Sequence, residues 1–343
     1  MPVSIEDVAK KAGVSISTVS RVINRRNLVN AVTKARVEKA IKELGYRPNV
    51  FARGLMLRKS NILGFVLPDI HGEFYSEIIR GAMQKARELG YHLIVSAVTA
   101  EDDGQDVLGM VGAQGLVDGM AVMVSEKDSQ IRKSLATLDL PLVVLDAELP
   151  RVTHDTVLID QSRGAEAMAA HLLAVRPNDR IIFVGGLETN LDTRDRLQAF
   201  RDVLRSAKRQ LPNQDVYYLD YSYQTAFDLA YDHAQEWSQR PTTVFAANDE
   251  MAAGVISAAA ARRVDVPREL RVAGFDDTRI AQLTRPALTT VHVPMADMGA
   301  TAIELLCDRL EEPDRPVKKV ILQAELVVRD SCGAMSLRNV ARG

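Results

Sequence analysis

Cysteine is scarce in this 343-residue chain, which contains only Cys307 and Cys332. Two isolated cysteines provide neither a disulfide framework nor the spacing of a metal site, and this usage is typical of a reducing compartment. The longest apolar runs, residues 62–67 and 252–261, fall well short of the about 20 residues that a membrane helix needs. The N-terminus shows no basic segment followed by an apolar one, so no signal peptide is expected. We therefore expect a cytoplasmic protein.

Motifs of the common catalytic sites are also missing. The sequence has no GxxxxGK[ST] loop, no GxGxxG after a predicted strand and no GxSxG turn, and its six histidines form no HExxH pair. We therefore predict no catalytic residue, no metal site and no cofactor. The chain is expected to bind other molecules and not to be an enzyme.

Charge is divided unevenly along the chain. Residues 1–60, here called the head, have a net charge of +9, whereas the remaining residues have a net charge of −11. A compact basic segment attached to an acidic body is typical of a protein whose basic part meets a polyanion. A merely basic surface would give the same charge count, so the charge alone leaves both interpretations open.

Three helices are predicted within residues 4–45, because apolar residues recur there at helical spacing. Ser4, Ser15 and Thr33 are the predicted N-caps. A valine precedes each of these residues and another follows four positions later, as in a hydrophobic staple. Only four residues, with Gly13 among them, join the first two helices, which is the spacing of a helix-turn-helix.

The second of these helices has a polar face suited to DNA. Its apolar residues share one side, and the opposite side carries short hydrogen-bonding groups and one arginine, which can bind guanine through two hydrogen bonds. A solvated helix face is the alternative, but the helix-turn-helix spacing and the basic head favour DNA. We predict contacts to base edges or phosphates from Ser15, Ile16, Ser17, Thr18, Ser20, Arg21 and Asn24.

Residues 48–60 follow the head helices and could form a short helix, although Gly54 would weaken it by about 1 kcal/mol relative to Ala. Leu55 lies within an otherwise basic stretch. An apolar side chain in this setting can act as a wedge in a DNA minor groove. An ordinary linker with one packed leucine is the alternative.

From residue 61 onward, short apolar runs alternate with amphipathic helices, which predicts an α/β body with parallel sheets covered on both faces. Nine predicted strands suit two sheets better than one. Ligands bind such sheets at the carboxyl ends of the strands, and several runs end there in polar residues. Helix capping is the alternative, mainly for Asp249 and Asp160. The polar residues are Asp69, Asp146, Asp160, Asn248, Asp249, Asp276 and Asp277.

The chain resembles the LacI/GalR family of bacterial transcription regulators over nearly its whole length. Residues 5–24 are similar to the helix-turn-helix signature of the family, and residues 43–55 are similar to its hinge. Further matching segments are ANDEMAAGV at 247–255, VAGFDD at 272–277 and RPALTTVHVPMADMGATA at 285–302. The resemblance implies a homodimeric repressor that binds double-stranded operator DNA. It also implies a periplasmic-binding-protein-like body of two subdomains that close on a small-molecule effector.

The resemblance also implies domain boundaries. The helix-turn-helix domain would comprise residues 1–47 and the hinge residues 48–60. The body would comprise residues 61–331, with an N-subdomain of 61–160 and 291–320 and a C-subdomain of 161–290 and 321–331. The tail, residues 332–343, has no leucine heptads, which argues against a tetramer built by the tail.

Site residues follow from the same resemblance. Ile16, Ser17 and Arg21 match base-reading positions, and Leu55 matches the minor-groove wedge. A sugar is the implied effector, because Asn190 and Asp192 replace the cationic and hydroxyl contacts of purine-binding members; a sugar acid or sugar phosphate stays open. The implied effector contacts are Phe74, Asp146, Arg194, Arg196, Tyr221, Asn248 and Asp276.

A second class of function is a sugar-binding or sugar-processing protein with no role on DNA. An exported binding protein would need a signal for export and would have no use for the basic head. A sugar kinase would need a phosphate loop, and other sugar enzymes would need a catalytic base at the pocket. The sequence shows none of these features, so this alternative is the weaker one.

Overall fold

The computed structural model describes residues 3–23, 29–46, 59–97, 116–124, 135, 138–148 and 154–334. The chain divides into two compact units, and the division falls between Asn61 and Ile62. In the part of the chain that the structure describes, no helix is both long enough and apolar enough to cross a membrane.

The head contains three short helices: α1 (Ile5–Ala12), α2 (Ile16–Ile23) and α3 (Ala31–Leu44). They enclose a small core of buried alanines and valines. Ser4 caps α1 as predicted and forms a capping box with Asp7, and Gly13 ends that helix with a φ of 62°, a backbone conformation that glycine adopts without strain.

The predicted start of α3 is wrong by three residues. Asn30 is the N-cap, and its side chain accepts a hydrogen bond of 2.8 Å from the backbone N–H of Thr33. The predicted cap, Thr33, therefore lies in the first turn. Val32, the expected staple residue, is 79% exposed, whereas Val29 packs against the head core.

The body contains two parallel sheets, as predicted. The six-stranded sheet has the order β11-β5-β4-β3-β1-β2 and the four-stranded sheet the order β7-β6-β8-β9. Strands β1–β9 correspond to the nine predicted strands. They are Ile62–Leu67, His92–Ala97, Gly119–Met123, Leu142–Leu145, Asp155–Ile159, Arg180–Gly185, Val216–Tyr218, Thr242–Ala246 and Leu270–Ala273.

Three short strands were not predicted. The strands β10 (Thr290–His292) and β12 (Glu325–Val327) form an antiparallel pair, and β11 (Lys319–Leu322) is the parallel edge strand beside β5. Among the described residues, the body contains the helices α4 (Gly72–Glu88), α5 (Gln161–Val175), α6 (Leu191–Ser206), α7 (Tyr223–Trp237), α8 (Asp249–Ala261), α9 (Arg279–Leu283) and α10 (Met295–Glu311).

The chain passes between the two halves of the body three times. These passages follow β5, lie between β10 and α10, and lie between β11 and β12. Helix α10 packs against α4 and against β3 to β5, so it belongs to the half that contains the six-stranded sheet. The proposed changes at 291 and 321 fall within β10 and β11.

Candidate functional site

Helix α2 has one buried side and one exposed side. Val19 and Val22 are buried in the head core and Ile23 packs against it. Ser17 and Arg21 are exposed, and Ile16 is 45% exposed although it is apolar. An exposed isoleucine in the first turn of a helix is suited to an apolar contact, such as that with a thymine methyl group.

Hydroxyl groups cluster at the start of α2. The Ser15 hydroxyl lies 2.8 Å from the Ser17 hydroxyl and 2.9 Å from the Thr18 hydroxyl, and it accepts a hydrogen bond of 3.3 Å from the Thr18 N–H. Ser15 therefore caps α2 as predicted. The exposed N-terminus of a helix attracts anions such as phosphate. Ser20 is half-buried, while the predicted contacts Asn24 and Leu55 lie outside the described residues.

A cavity of about 290 Å³ lies in the body at the carboxyl ends of the strands. It meets the expectation for ligand sites in α/β sheets. Asp146 follows β4 in the first sheet, while Asn248 and Asp276 follow β8 and β9 in the second. The structure brings together six of the seven predicted effector contacts, namely Phe74, Asp146, Arg196, Tyr221, Asn248 and Asp276.

Arg196 occupies the centre of this site and is only 2% exposed. Its Nε donates a hydrogen bond of 2.9 Å to Oε1 of Gln161, and its Nη1 donates to the carbonyl oxygen of Ala247. The guanidinium carbon lies 3.9 Å from the centre of the Phe275 ring. These contacts fix the orientation of the guanidinium group before any ligand binds.

The remaining nitrogen of Arg196 lies between two carboxylates. Nη2 is 3.7 Å from Oδ2 of Asp192 and 3.7 Å from Oδ1 of Asp276. Asp276 is 5% exposed, and its Oδ1 accepts no hydrogen bond from the described residues. Burial raises the pKa of Asp276 well above its usual value, although the positive charge of Arg196 opposes this effect.

Asp146 and Asp192 are neighbours in the site, since both line this cavity and both line an adjoining depression. Burial raises the pKa of Asp146, and the neighbouring charge of Asp192 raises it further. Burial also raises the pKa of Asp192, while Arg196 lowers it. Neighbouring carboxyl groups oppose each other's ionisation, and a cation between them removes this repulsion.

Tyr221 is held in the cavity by its hydroxyl group. The hydroxyl donates a hydrogen bond of 2.9 Å to Oδ1 of Asn190 and lies 2.7 Å from the hydroxyl of Thr193. Gly186 makes room for the ring, since a Cβ at that position would lie 1.9 Å from a ring carbon of Tyr221. The glycine is therefore required by close approach and not by backbone conformation.

Asn248 has a structural role in addition to lining the cavity. Its Oδ1 accepts a hydrogen bond of 2.9 Å from the Met251 N–H, so it is the N-cap of α8, and its Nδ2 donates to the Tyr221 carbonyl oxygen. The prediction that Asp249 caps this helix is wrong, because Asp249 is its first residue and is fully buried. Asp160 does cap α5.

Three residues of the cavity have a strained backbone. Asp146, Tyr221 and Asp276 have φ angles of 64°, 66° and 108°. Positive φ is uncommon for residues with a Cβ and concentrates at functional sites, where the surrounding structure maintains it. All three residues line the cavity with this backbone conformation.

The structure does not bring Arg194 to the cavity. This residue is exposed and lines a separate depression on the surface together with Glu188 and Arg201. Sequence reasoning also missed several lining residues, although Asp69 was noted as a polar residue at a strand end. The lining residues that were not predicted as effector contacts are Asp69, His71, Gly72, Tyr75, Met123, Asn190, Asp192, Asp220, Ser222 and Glu250.

Comparison with known proteins agrees with this arrangement. Residues 4–49 match the family model of bacterial regulatory proteins, lacI family, and residues 169–332 match a periplasmic binding protein-like domain. Catabolite control protein A of Priestia megaterium is 36% identical over 312 residues, which cover 89% of this chain and 92% of that protein.

Two solved structures share the fold over nearly the whole chain. The lac repressor dimer bound to operator and the anti-inducer ONPF has a TM-score of 0.83 at 27% identity, covering 97% of this chain and 99% of that one. The complex of the transcriptional regulator CelR with cellobiose has a TM-score of 0.72 at 28% identity, covering 96% and 99%. The chain belongs to the lacI family of bacterial regulatory proteins and is a DNA-binding transcriptional regulator, not an enzyme.

Proposed function

We propose that the protein is a repressor in which α2 reads operator DNA and the cavity of the body binds a sugar effector that changes operator affinity. The observation that carries this proposal is the cavity around Arg196, in which six predicted effector contacts meet, in a chain that begins with a helix-turn-helix.

The exposed side of α2 supports the DNA half of the proposal. Arg21 can bind a guanine through two hydrogen bonds, and Ile16 and Ser17 lie in the first turn, the part of a recognition helix that contacts base edges. The hydroxyls of Ser15 and Thr18 suit phosphate oxygens, which position a protein on DNA. Asn24 and Leu55 remain predicted contacts.

The lining of the cavity supports a small polyol as effector. Carboxylate, amide and guanidinium groups offer both acceptors and donors to hydroxyl groups. The volume of about 290 Å³ lies at the small end of the range for ligand pockets, roughly 300–1,000 Å³, which favours a single sugar ring. CelR was solved with the disaccharide cellobiose, so a smaller ligand of related chemistry is proposed here.

A homodimer is proposed as the form that binds DNA. The lac repressor binds its operator as a dimer, and a dimer of helix-turn-helix heads requires two half-sites related by a two-fold axis. The domain boundaries proposed from the sequence, residues 1–47, 48–60, 61–331 and 332–343, suit this assembly. We place the protein in the bacterial cytoplasm, where operator DNA is found.

Replacement of Arg21 tests the assignment of α2. In the Arg21→Ala protein we expect preference for the operator to disappear, while weaker binding that depends strongly on salt remains. Competition between operator and random-sequence DNA in a mobility-shift assay measures this preference. Arg36→Ala, an exposed arginine of α3, is the matched control that removes the same charge. Equal losses of preference in both variants would contradict a base-reading role for Arg21.

Replacement of Asp276 tests the cavity. We expect Asp276→Ala to retain operator binding and to lose the response to the effector, because the unpartnered carboxylate oxygen is removed. Asp232→Ala, on the exposed surface of α7, is the control. A normal response in Asp276→Ala would show that the effector binds elsewhere, and turnover of a sugar by the purified protein would support the alternative of a sugar-processing protein.

A further inference from the structure

The charges around the cavity do not balance. Among the described residues that line it, Arg196 is the only arginine or lysine, whereas six residues carry carboxyl groups. An anionic ligand would lie among six carboxyl groups and one arginine, and every ionised carboxylate would repel it at short range, where the Coulomb energy is large. This argues against a sugar phosphate or a sugar acid. The six acidic residues are Asp69, Asp146, Asp192, Asp220, Glu250 and Asp276.

Arg196 provides one positive charge for six carboxyl groups, and most of its hydrogen-bond donors are already used. Its Nε binds Gln161, its Nη1 binds the Ala247 carbonyl oxygen, and only its Nη2 faces carboxylates, at 3.7 Å from Asp192 and from Asp276. The buried Oδ1 of Asp276 therefore still lacks a hydrogen-bond donor among the described residues. A buried acceptor without a donor costs free energy, which a ligand with donor groups would recover.

Asp146 and Asp192 are the second place where carboxyl groups outnumber cations, because both share Arg196 with Asp276. Asp146 is 8% exposed, and Asp192 lines this cavity and an adjoining depression together with it. Without a ligand, the pair must hold a proton or accept strong repulsion, because like charges at this separation oppose each other. An ammonium group placed between them would supply a positive charge and up to three hydrogen bonds.

Three observations decide which kind of cation fits. Among the described residues, no group of three or more His, Cys, Asp or Glu is arranged to hold a metal ion. The rings of Phe74, Tyr75 and Tyr221 line the same cavity, and aromatic faces attract organic cations. The volume of about 290 Å³ admits a single sugar ring. An organic ammonium ion of that size satisfies all three.

We propose that the effector is a monosaccharide-sized polyol that carries an ammonium group, with this group between Asp146 and Asp192 and with hydroxyl groups bound by Asp276 and Arg196. This inference rests on the proposed function of the cavity, and it narrows the chemical class of the ligand from sugars to amino sugars.

Matched sugars test the proposal directly. Glucosamine, galactosamine and mannosamine are each compared with the parent hexose and with the N-acetyl derivative, which has the same shape at that position but no charge. Titration calorimetry with the full-length protein measures each dissociation constant. We expect at least one amino sugar to bind at least tenfold more tightly than both of its neutral partners, and the same compound to change operator affinity in a mobility-shift assay.

The variant Asp192→Asn provides a second readout, because it keeps the side-chain shape and removes one charge. We expect it to weaken binding of the amino sugar at least tenfold while binding of the parent hexose stays unchanged or improves. Asp202→Asn, an exposed residue of the same helix outside the cavity lining, is the control and should change neither constant by more than about twofold. Fluorescence of Trp237, the only tryptophan, shows that each variant is folded.

The outcomes separate the two proposals. Tighter binding of a neutral hexose, or equal loss of both ligands in Asp192→Asn, overturns the ammonium proposal but leaves the effector site in place if that hexose changes operator affinity. Binding of none of the three amino sugars also overturns it. An amino sugar that binds without any effect on operator affinity supports the ligand class and contradicts the proposed regulatory role of the cavity.

Discussion

The buried carboxyl group of Asp249 allows a prediction that needs no ligand. Asp249 is fully buried at the start of α8. The Thr290 hydroxyl donates to its Oδ1 at 2.6 Å, and the Thr278 N–H donates to its Oδ2 at 2.8 Å. Burial raises the pKa of Asp249 to about 7 even though these hydrogen bonds lower it. The group is thus easier to protonate in the folded protein than in the unfolded chain.

The sign of the pH dependence follows from this difference. A carboxyl group whose pKa is higher in the folded protein than in the unfolded chain adds to the free energy of unfolding at low pH, where it holds its proton. This contribution is lost as the pH rises from about 4 to about 7. One pH unit corresponds to about 1.4 kcal/mol, so the free energy of unfolding should fall by roughly 3 kcal/mol between pH 5 and pH 8 because of Asp249 alone.

The variant Asp249→Asn removes this titration. Its side chain keeps nearly the same shape, and the Thr290 hydroxyl can rotate to accept a hydrogen bond from the amide. We therefore expect the variant to be less affected by pH than the wild type, and the difference between their free energies of unfolding to change by roughly 3 kcal/mol from pH 5 to pH 8 in favour of the variant.

Urea unfolding followed by the fluorescence of Trp237 measures this difference. Trp237 is the only tryptophan and is fully buried, so it reports unfolding of the half of the body that contains Asp249. Carboxyl groups that do not interact with Asp249 titrate equally in both proteins and cancel in the comparison. Asp232→Asn, an exposed residue of α7, should follow the wild type. A difference that stays constant within about 1 kcal/mol from pH 5 to pH 8 would refute the reasoning.

Two further substitutions test buried contacts of the body. Asp155→Ala should cost about 3–5 kcal/mol, because Asp155 is fully buried and pairs with Arg309 at 3.0 Å and with Arg315 at 2.7 Å; a loss below about 1 kcal/mol in calorimetric melting would contradict this. Gly186→Ala should cost about 1–3 kcal/mol through its clash with the Tyr221 ring. In a protein that already carries Tyr221→Ala, Gly186→Ala should cost almost nothing. If urea unfolding shows that the losses in free energy of unfolding from the two substitutions simply add, the clash with the Tyr221 ring is not the cause.

Much of the fold could be predicted because its signals are local. Buried parallel strands appear as apolar runs between amphipathic helices, and all nine such runs became β1–β9. The strands β10 and β12 have three residues each and β11 has four, too few to show a period. The start of α3 was misplaced because Asn30 and Thr33 are both suitable caps three residues apart, and only the packing of Val29 distinguishes them.

The site was predictable where chemistry coincides with the end of a strand. Asp146, Asn248 and Asp276 follow strands and line the cavity. Arg194 lies outside the cavity lining. Residues two positions apart on a helix point about 200° apart, so Arg196 in the cavity places Arg194 on the surface. The contribution of Asp192 depends on its distance from Asp146, which only the folded chain determines.

The lining of the cavity comes from both halves of the body. It combines Asp146 from the half of the body with the six-stranded sheet and Asp276 from the other half. Three passages of the chain and contacts such as that of Glu73 Oε1 with the Arg279 N–H, at 2.8 Å, join these halves.

A ligand that binds both halves favours the arrangement of the halves for which its affinity is higher, and the size of this effect is the difference in affinity between the arrangements. If operator DNA favours a different arrangement, the ligand and the DNA must weaken each other's binding by the same factor. Such couplings typically amount to about 1–3 kcal/mol. Because buried carboxyl groups on both halves face the cavity, the charge of the ligand is the property that such a coupling would detect most strongly.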